Sequence, residues 1–181
     1  MNLVVIGNGA YVSGRGTNGY GTIFPAIIEY IRNGGAIDEV HMIGTNRKHS
    51  LEAMDKINEL TQLTGVNINL TIYPNKDGEN KSIYKNVLNK IDNATCAIIA
   101  VPDHLHFQIA QDCLKAGLHT LLVKPFTPSV KEALSLIKVA KLNKLYGSVE
   151  FHKRWDKHNL MLRDIFRAKR LGDTALHLDR V

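Results

Sequence analysis

Strand-like and helix-like apolar patterns alternate along the chain. The run LVVIG (residues 3–7) leads through a glycine-rich stretch into TIFPAIIEYIRNGG (22–35), whose apolar residues recur at helical spacing. A second pair follows, in which EVHMIGTN (39–46) predicts a strand and LEAMDKINELTQLTG (51–65) predicts a helix. Alternation of this kind with short connections is typical of right-handed strand–helix–strand units. The predicted fold class is therefore α/β, a doubly wound parallel sheet.

The remaining strands differ in how much of their surface is expected to be covered. VNINLTIY (66–73) alternates strictly between apolar and polar residues, so one face should be wet and the strand should lie at a sheet edge. CAIIAV (96–101) and HTLLV (119–123) do not alternate, which is typical of central parallel strands covered on both faces. KLYGSVEF (144–151) predicts a sixth strand.

Helix boundaries are marked between the later strands. Asp103 is expected to cap a helix over residues 102–117, and Gly117 is expected to end it. Ser129 and Glu132 have the S-x-x-E spacing of a capping box, which predicts the start of another helix.

The last stretch of the chain changes character. An amphipathic helix is predicted over residues 156–173 with its end at Gly172, and TALHLDRV (174–181) then begins a strand. We expect residues 1–150 to form one α/β domain, and residues 151–181 to be the linking helix and first strand of a truncated second α/β domain. The alternative is that this last strand closes the sheet or an oligomer interface.

Composition adds few constraints. The chain has 181 residues, of which 44% are hydrophobic and 22% charged, as in an ordinary soluble globular protein. Its apolar runs fall far below the roughly 20 residues that span a bilayer, and it enters its first strand without a leader peptide, so we expect a cytoplasmic protein with no membrane partner. Cys96 and Cys113 lack metal-ligand or disulfide spacing and are expected to be core thiols, with no metal site.

The charge of the chain is basic. A net charge of +6 is compatible with a nucleotide cofactor, a nucleic acid or an acidic sugar, and it does not choose among them. The densest basic cluster, RDIFRAKRLG (163–172), has apolar residues at helical spacing, which favours a solvated helix face. We expect no nucleic-acid partner, because stacking aromatic residues and a recognisable reader motif are lacking.

The glycine-rich stretch GNGAYVSGRGTNGYG (7–21) follows the first strand directly. Gly7 and Gly9 would let a pyrophosphate approach the backbone, and a helix N-terminus beyond them would supply N–H groups. We therefore expect the segment from Gly7 to Ala10 to be a phosphate-binding turn.

Val12 departs from this pattern. It stands where a third small residue is expected, so the helix should begin later, near Thr22. Residues 11–21 are then an insertion over the turn, which either contacts cofactor or substrate or forms a mobile loop. The polar side chains that it offers for contact are Ser13, Arg15, Thr17 and Asn18.

The end of the second strand carries a clue to the cofactor. In NAD-binding domains a carboxylate here accepts a hydrogen bond from the adenosine ribose 2′-hydroxyl. This chain has no acidic residue between Glu39 and Glu52. Thr45, Asn46, Arg47 and Lys48 instead suit a 2′-phosphate, which arginine binds bidentately. The expected cofactor is NADP or NAD, with NADP favoured.

AIIAVPDHLHFQIAQDCLKAGLHTLLVKPF (97–126) resembles the core signature of the Gfo/Idh/MocA (glucose-fructose oxidoreductase/inositol dehydrogenase) family. In that family a P-[ND]-x-x-H turn precedes an A-G-x-H-v-x-x-E-K-P strand. His106 matches the motif histidine, while Lys124 and Pro125 match the Lys-Pro pair. The resemblance implies that Lys124 is the catalytic residue, beside the nicotinamide and the substrate. His106 either contacts the cofactor or has a structural role.

Two departures from the family pattern are visible. Val123 replaces the glutamate of the E-K-P motif. In EFHKRW (150–155), His152 replaces an asparagine that is frequent in the family, whereas Arg154 matches the family's arginine. Arg154 is a candidate substrate contact, and His152 is either a second one or structural.

The expected site residues lie at the carboxyl ends of the strands and in the two motifs. The expected cofactor-binding residues are Gly7, Gly9, Ala10, Thr45, Asn46, Arg47, Val101, Pro102, His106, Lys124 and Pro125. The expected substrate contacts are Arg15, His152 and Arg154.

The resemblance implies a two-domain oxidoreductase in which residues 1–150 are the dinucleotide-binding Rossmann domain. Such an enzyme transfers a hydride between nicotinamide and a carbon of a sugar, cyclitol or nucleotide sugar. The family's other acid/base residues come from the second domain, so this chain should bind cofactor better than it turns over substrate. Sheets of family members often pair, which makes a homo-oligomer compatible with the resemblance. The alternatives are an NAD-dependent glycosidase on the same fold and a non-catalytic nucleotide-binding module.

Overall fold

The computed structural model describes residues 1–91 and 94–168. The strands in chain order are β1 (Asn2–Ile6), β2 (Glu39–Ile43), β3 (Leu70–Tyr73), β4 (Ala94–Ile99), β5 (His119–Val123) and β6 (Gly147–Glu150). The helices are α1 (Ala10–Ser13), α2 (Ile23–Arg32), α3 (Arg47–Thr64), α4 (Ile83–Leu88), α5 (His106–Lys115), α6 (Val130–Leu142) and α7 (Lys157–Arg167). Two 3-10 turns, Asp103–Leu105 and His152–Arg154, precede α5 and α7.

The strands form one six-stranded sheet in the order β3-β2-β1-β4-β5-β6. The pairs β3–β2, β2–β1, β1–β4 and β4–β5 are parallel. This is the doubly wound order of dinucleotide-binding sheets, in which the direction of winding reverses beside β1. The predicted fold class is confirmed.

Strand β1 is apolar on both faces because helices cover both. Leu3 and Val5 belong to a buried cluster with residues of α2 and α3. Val4 and Ile6 belong to a second cluster, with residues of α4, α5 and α6. The core is therefore split by the sheet into two layers, as the unbroken apolar runs of the central strands require.

The positions of the strands agree with their patterning. The alternating segment forms β3 at the sheet edge, although the strand itself covers only Leu70–Tyr73. Helix α4 was missed by the sequence analysis. It contributes Tyr84 and Val87 to the core, and the Tyr84 hydroxyl donates to Asp112 Oδ2 on α5 at 2.7 Å.

Two helix starts differ from expectation. Asp103 does not cap α5, because residues 103–105 form a 3-10 turn and the α-helix begins only at His106. Helix α3 begins at Arg47, four residues before the predicted start, because Asn46 Oδ1 accepts from the His49 N–H at 3.3 Å and caps it. The cap at Ser129 is confirmed, since its hydroxyl accepts from the Glu132 N–H at 3.3 Å.

The chain divides into two compact units, Met1–Val149 and a unit that begins at Glu150. In the second unit, Asp156 caps α7 by accepting from the Asn159 N–H at 2.9 Å. The predicted helix end at Gly172 and the predicted strand over 174–181 lie outside the described residues. The division into a dinucleotide-binding domain and a truncated second domain stays a prediction. No helix within the described residues is long and apolar enough to cross a bilayer.

The two cysteines differ in exposure. Cys113 is fully buried between α5 and the sheet, and Cys96 is half-buried on β4. Burial, together with the neighbouring Asp112 carboxylate, raises the pKa of the Cys113 thiol to about 12. Burial also raises the pKa of Cys96.

We expect Cys113 to be unreactive in the folded chain. With its pKa at about 12, the thiolate fraction at pH 8 is about one in ten thousand, and the thiolate is the reactive species. A Cys96→Ala variant, which retains only Cys113, should therefore release no chromophore from a disulfide reagent at pH 8 until denaturant is added. The matched Cys113→Ala variant should react slowly without denaturant. Rapid labelling of native Cys96→Ala would contradict the burial of Cys113.

Candidate functional site

The carboxyl ends of four parallel strands meet at one edge of the sheet. Ile6 at the end of β1 is in register with Ile43 of β2 and with Ile99 of β4. The ladder continues one residue further, because Gly7 N–H donates to Ile43 O and Ala100 N–H donates to Ile6 O, both at 2.9 Å. The turns that leave β1, β2, β4 and β5 therefore start side by side, as in other open α/β sheets where this edge binds ligands.

Gly7 is the point of closest approach between the β1 turn and β4. Its φ is +123°, and a Cβ built there would lie 2.2 Å from the carbonyl oxygen of Ala100. Both the conformation and the contact exclude a side chain. The first glycine of the predicted turn is thus required by the sheet itself.

Gly9 is placed in the opposite way. A Cβ built there would have no atom within 4 Å, and Gly9 is the N-cap residue of α1. The backbone at Gly9 and Ala10 is therefore open to the outside at the start of a helical turn, where N–H groups lack helical partners. This cradle of Gly9 and Ala10 offers the close backbone approach and the N–H donors that a pyrophosphate needs, and pyrophosphate binding here stays a prediction.

Val12 lies inside a short helix, whereas the helix was expected to begin only near Thr22. Residues 10–13 form α1, and Val12 is only 1% exposed, packed in the cluster that includes α2. The main helix α2 does begin at Ile23, as expected near Thr22. The inserted segment is therefore 14–22 and not 11–21.

The insertion is tied to helix α3. Arg15 Nη1 lies 3.4 Å from Glu52 Oε2, and Arg15 Nε donates to Asn8 O at 3.1 Å. Farther along, the Tyr20 hydroxyl donates to Glu59 Oε1 at 2.8 Å. This hydrogen bond raises the pKa of Tyr20, while the pKa of Glu59 is lowered by hydrogen bonds first from Lys56 and then from Tyr20.

The polar side chains of the insertion are not equally available to a ligand. Ser13 is 1% exposed and its hydroxyl lies 3.4 Å from Gly9 O, so the expectation that it contacts a ligand is wrong. The Thr17 hydroxyl donates to Gly14 O at 2.8 Å, and Asn18 is exposed.

A polar network joins the β1 turn to α3 and β3. Asn8 Nδ2 donates to Ser50 Oγ at 3.0 Å, and Ser50 Oγ donates to Tyr73 O at 2.8 Å. A Cβ built at Gly44 would lie 2.1 Å from Asn8 Nδ2 and 2.6 Å from Ser50 Oγ, so a side chain at this position would displace these two groups. The sequence analysis missed these three residues. The available signal was a glycine at the point where the chain leaves β2.

The expected 2′-phosphate residues lie at the start of α3. Asn46 is its N-cap, Arg47 is its first residue, and Thr45 is exposed just before them. Arg47 Nη1 donates to Pro74 O at 3.0 Å, in the loop after β3. This one bond leaves further guanidinium donors for an anion.

His106 links the turn after β4 to the turn after β5. Its Nε2 lies 2.9 Å from Val101 O and its Nδ1 lies 2.7 Å from Pro125 O. The residue is 1% exposed. Both ring nitrogens thus face backbone carbonyls inside the protein, as a structural role for His106 requires, and its contact with the cofactor stays a prediction. Pro102, by contrast, is exposed.

At the end of β5, a buried residue is followed directly by an exposed one. Val123 is 8% exposed and packs in the apolar cluster with α2, whereas Lys124 is exposed at the strand end. Val123, which replaces the motif glutamate, thus contributes to the core. Lys124 is presented at the edge where the four turns start.

His152 and Arg154 belong to the second unit. His152 Nδ1 lies 3.2 Å from Glu150 Oε1, and the Arg154 guanidinium lies 4.9 Å from the centre of the Phe151 ring. Their contact with substrate stays a prediction. Within residues 1–91 and 94–168, no three side chains of His, Cys, Asp or Glu converge as metal ligands would.

Comparison with known proteins shows a match to an oxidoreductase family. A sequence profile of the oxidoreductase family with an NAD-binding Rossmann fold (GFO_IDH_MocA) matches residues 16–151. The chain is 31% identical over 111 residues to the uncharacterized oxidoreductase C115.03 of Schizosaccharomyces pombe, covering 55% of this chain and 30% of that protein. It is 29% identical over 76 residues to the scyllo-inositol 2-dehydrogenase (NADP(+)) IolW of Bacillus subtilis, covering 42% of this chain and 21% of that protein.

A solved structure shares the fold. An NAD binding oxidoreductase from Klebsiella pneumoniae superposes with a TM-score of 0.62 at 15% identity, covering 96% of this chain and 40% of that one. The matches to the two relatives span 30% and 21% of their own length. The chain thus corresponds to less than half of each of these proteins.

We expect Gly7→Ala and Gly9→Ala to separate the two glycine roles. Gly7→Ala should lower the free energy of unfolding by roughly 2–4 kcal/mol, because the methyl group meets the Ala100 carbonyl at an unfavourable φ. Gly9→Ala should change it by less than about 1 kcal/mol, because the methyl group enters open space. Urea unfolding followed by circular dichroism measures both. Equal losses would contradict this description of the turn.

Proposed function

The chain belongs to the Gfo/Idh/MocA oxidoreductase family, which has the NAD-binding Rossmann fold, and from this premise we propose that residues 1–150 bind a nicotinamide dinucleotide for hydride transfer. The observation that carries the proposal is the contrast between Gly7 and Gly9. One is closed against β4 while the other is open beside a helix start. This combination suits a pyrophosphate better than it suits a plain connector.

Different residues along the sheet edge are proposed to bind different parts of the dinucleotide. The N–H groups at Gly9 and Ala10 hold the pyrophosphate, with the Asn8–Ser50 network fixing the turn from below. When bound, the nicotinamide supplies the hydride chemistry, and the protein supplies placement and proton transfer. The turns after β4 and β5, with Val101, Pro102 and Pro125, hold the nicotinamide end.

Lys124 is the proposed catalytic residue. It is exposed at the end of β5, directly beyond the buried Val123, and it carries an ammonium group with three donors. When an alcohol is oxidised, the hydroxyl proton must leave as the hydride leaves carbon, and in the reverse reaction a proton must return to the carbonyl oxygen. We assign to Lys124 the role of moving this proton at the substrate oxygen: its neutral amine would accept the proton during oxidation, and its ammonium group would return it during reduction.

NADP is the proposed cofactor in preference to NAD. Thr45, Asn46 and Arg47 gather hydroxyl, amide and guanidinium donors at the start of α3. The sequence between Glu39 and Glu52 has no carboxylate, and the nearby Glu79 pairs with Asn46 through the backbone. A 2′-phosphate carries negative charge that a guanidinium and a helix N-terminus both favour. The relative from Bacillus subtilis is itself named as NADP-linked.

The proposed substrate is a small sugar, cyclitol or nucleotide sugar. Support comes from the relative named as a scyllo-inositol 2-dehydrogenase. His152 and Arg154 remain proposed substrate contacts. Arg15 contacts Asn8 O beyond β1, two strands and about 10 Å across the sheet from β5, so we assign it to the adenosine end instead.

The whole protein's reaction needs more than these residues. We propose that residues 151–181 begin a substrate domain, and that the protein acts in the cytoplasm on a small molecule without nucleic-acid or membrane partners. Nothing in the geometry of the turns favours a glycosidase or a silent nucleotide-binding module over hydride transfer.

We expect the 181-residue chain to bind NADPH more tightly than NADH. Arg47→Ala should lower the NADPH affinity by roughly tenfold or more and leave the NADH affinity nearly unchanged, because only NADPH carries the 2′-phosphate. Nicotinamide fluorescence measures both affinities. Arg32→Ala removes an exposed guanidinium from the last residue of α2 and is the matched control.

The measurements test the role of Arg47 and the binding of a cofactor separately. A preference for NADPH that survives Arg47→Ala would contradict the role of Arg47. If the folded chain binds neither cofactor, the proposed function of residues 1–150 is wrong.

A further inference from the structure

His106, the histidine of the first family motif, contacts the backbone of the second motif. It is the first residue of α5, yet its ring reaches across to the carbonyl of Pro125, 19 residues later in the chain. The other ring nitrogen faces Val101 O, at the end of the preceding strand. One side chain therefore contacts the backbone of both turns that leave β4 and β5.

The contacts are short and shielded from water. The two nitrogen–oxygen distances are 2.7 and 2.9 Å, and the residue is 1% exposed. Carbonyl oxygens only accept hydrogen bonds, so each contact needs a proton on the facing ring nitrogen. The neutral ring donates to one carbonyl at a time, and the doubly protonated ring donates to both.

Each of these two carbonyls lies next to a residue that we propose to bind the nicotinamide end or to act in catalysis. Val101 O immediately precedes Pro102, and Pro125 O immediately follows Lys124. Strands β4 and β5 are parallel, with Ile99 paired to Leu122, but the ladder between them stops there. Beyond that pair, the ring of His106 is a direct link from one turn to the other.

We propose that His106 is a positioning residue, which holds the turns after β4 and β5 at a fixed separation and so places Lys124 and the nicotinamide pocket. This inference rests on the proposed function. The ring acts through the backbone, because it is 1% exposed and both of its nitrogens face carbonyls of the two turns.

A selective effect on binding follows from the layout of the sheet. The pyrophosphate and adenosine end is built from β1, β2 and α3, through Gly7, Gly9, Asn8 and Ser50. None of these residues belongs to the turns that His106 links. Loss of the ring should therefore weaken the hold on nicotinamide while sparing the rest of the dinucleotide.

The test compares two ligands on the full 181-residue chain. NADPH carries the nicotinamide, whereas 2′-phospho-ADP-ribose is the same molecule without it. His106→Leu should lower the NADPH affinity by roughly tenfold while changing the 2′-phospho-ADP-ribose affinity by less than about twofold. His106→Gln, which keeps a side-chain donor, should restore part of the loss. His104→Leu, at an exposed position on the 3-10 turn that precedes His106, is the matched control and should change neither affinity.

Amide hydrogen exchange gives a second readout that does not depend on any ligand. His106→Leu should speed exchange at residues 126–127, beyond Pro125, as well as at the start of α5. A side chain that only fills space in the first turn of α5 would change exchange at the helix start alone. If His106→Leu does not fold, the same two measurements on His106→Gln decide, with a smaller selective loss expected.

The outcomes distinguish this inference from the proposed function. Equal losses for both ligands, or no loss for either, together with unchanged exchange at residues 126–127, would overturn the positioning role and leave cofactor binding standing. A wild-type chain that binds neither ligand would contradict the proposed function itself, and with it the nicotinamide role of His106.

Discussion

The close approach of the β1 turn to β4 is the constraint on which the ligand-binding edge depends. With no side chain at Gly7, the backbone passes directly over the carbonyl of Ala100, and the ladder extends past the strand ends to Ile43 and Ile6. The turn then leaves the sheet at a set angle, which brings Gly9 out into open space. A bulkier first residue would lift the turn off β4 and remove the cradle together with the contact.

A second constraint acts on the turns that follow β4 and β5. The turns after β4 and β5 lack a ladder of their own beyond Ile99 and Leu122, and the ring of His106 takes the place of the missing backbone bonds. The edge is thus held by backbone pairing and glycine at its adenosine end and by one buried side chain at its nicotinamide end. These are different kinds of interaction, and they respond to different substitutions.

Local patterning was enough to predict the sheet. Strict alternation placed β3 at an edge, and unbroken apolar runs placed β4 inside, because each pattern reports how many faces of a strand are covered. Ser129 was predicted as a cap because its partner lies three residues away. The placements that were not predicted have a common cause. His106, Ser50 and Val12 are placed by contacts with residues distant along the chain or by packing, and no spacing in the sequence records those partners.

The insertion after α1 makes two contacts with helix α3 whose spacing along the helix is fixed. Its two anchors on that helix, Glu52 and Glu59, are seven residues apart, which is two helical turns or about 10 Å along the axis. Arg15 and Tyr20 must span that rise to make both contacts. Removing or adding one residue between them would shift one side chain away from its carboxylate, so we expect one of the two contacts to be lost. Without both carboxylates the loop would keep its bonds to the β1 turn and to α1, such as Arg15 Nε to Asn8 O, but it would lose these contacts with α3. Loop and helix are therefore expected to be inherited, lost or transplanted together, as a single evolutionary module.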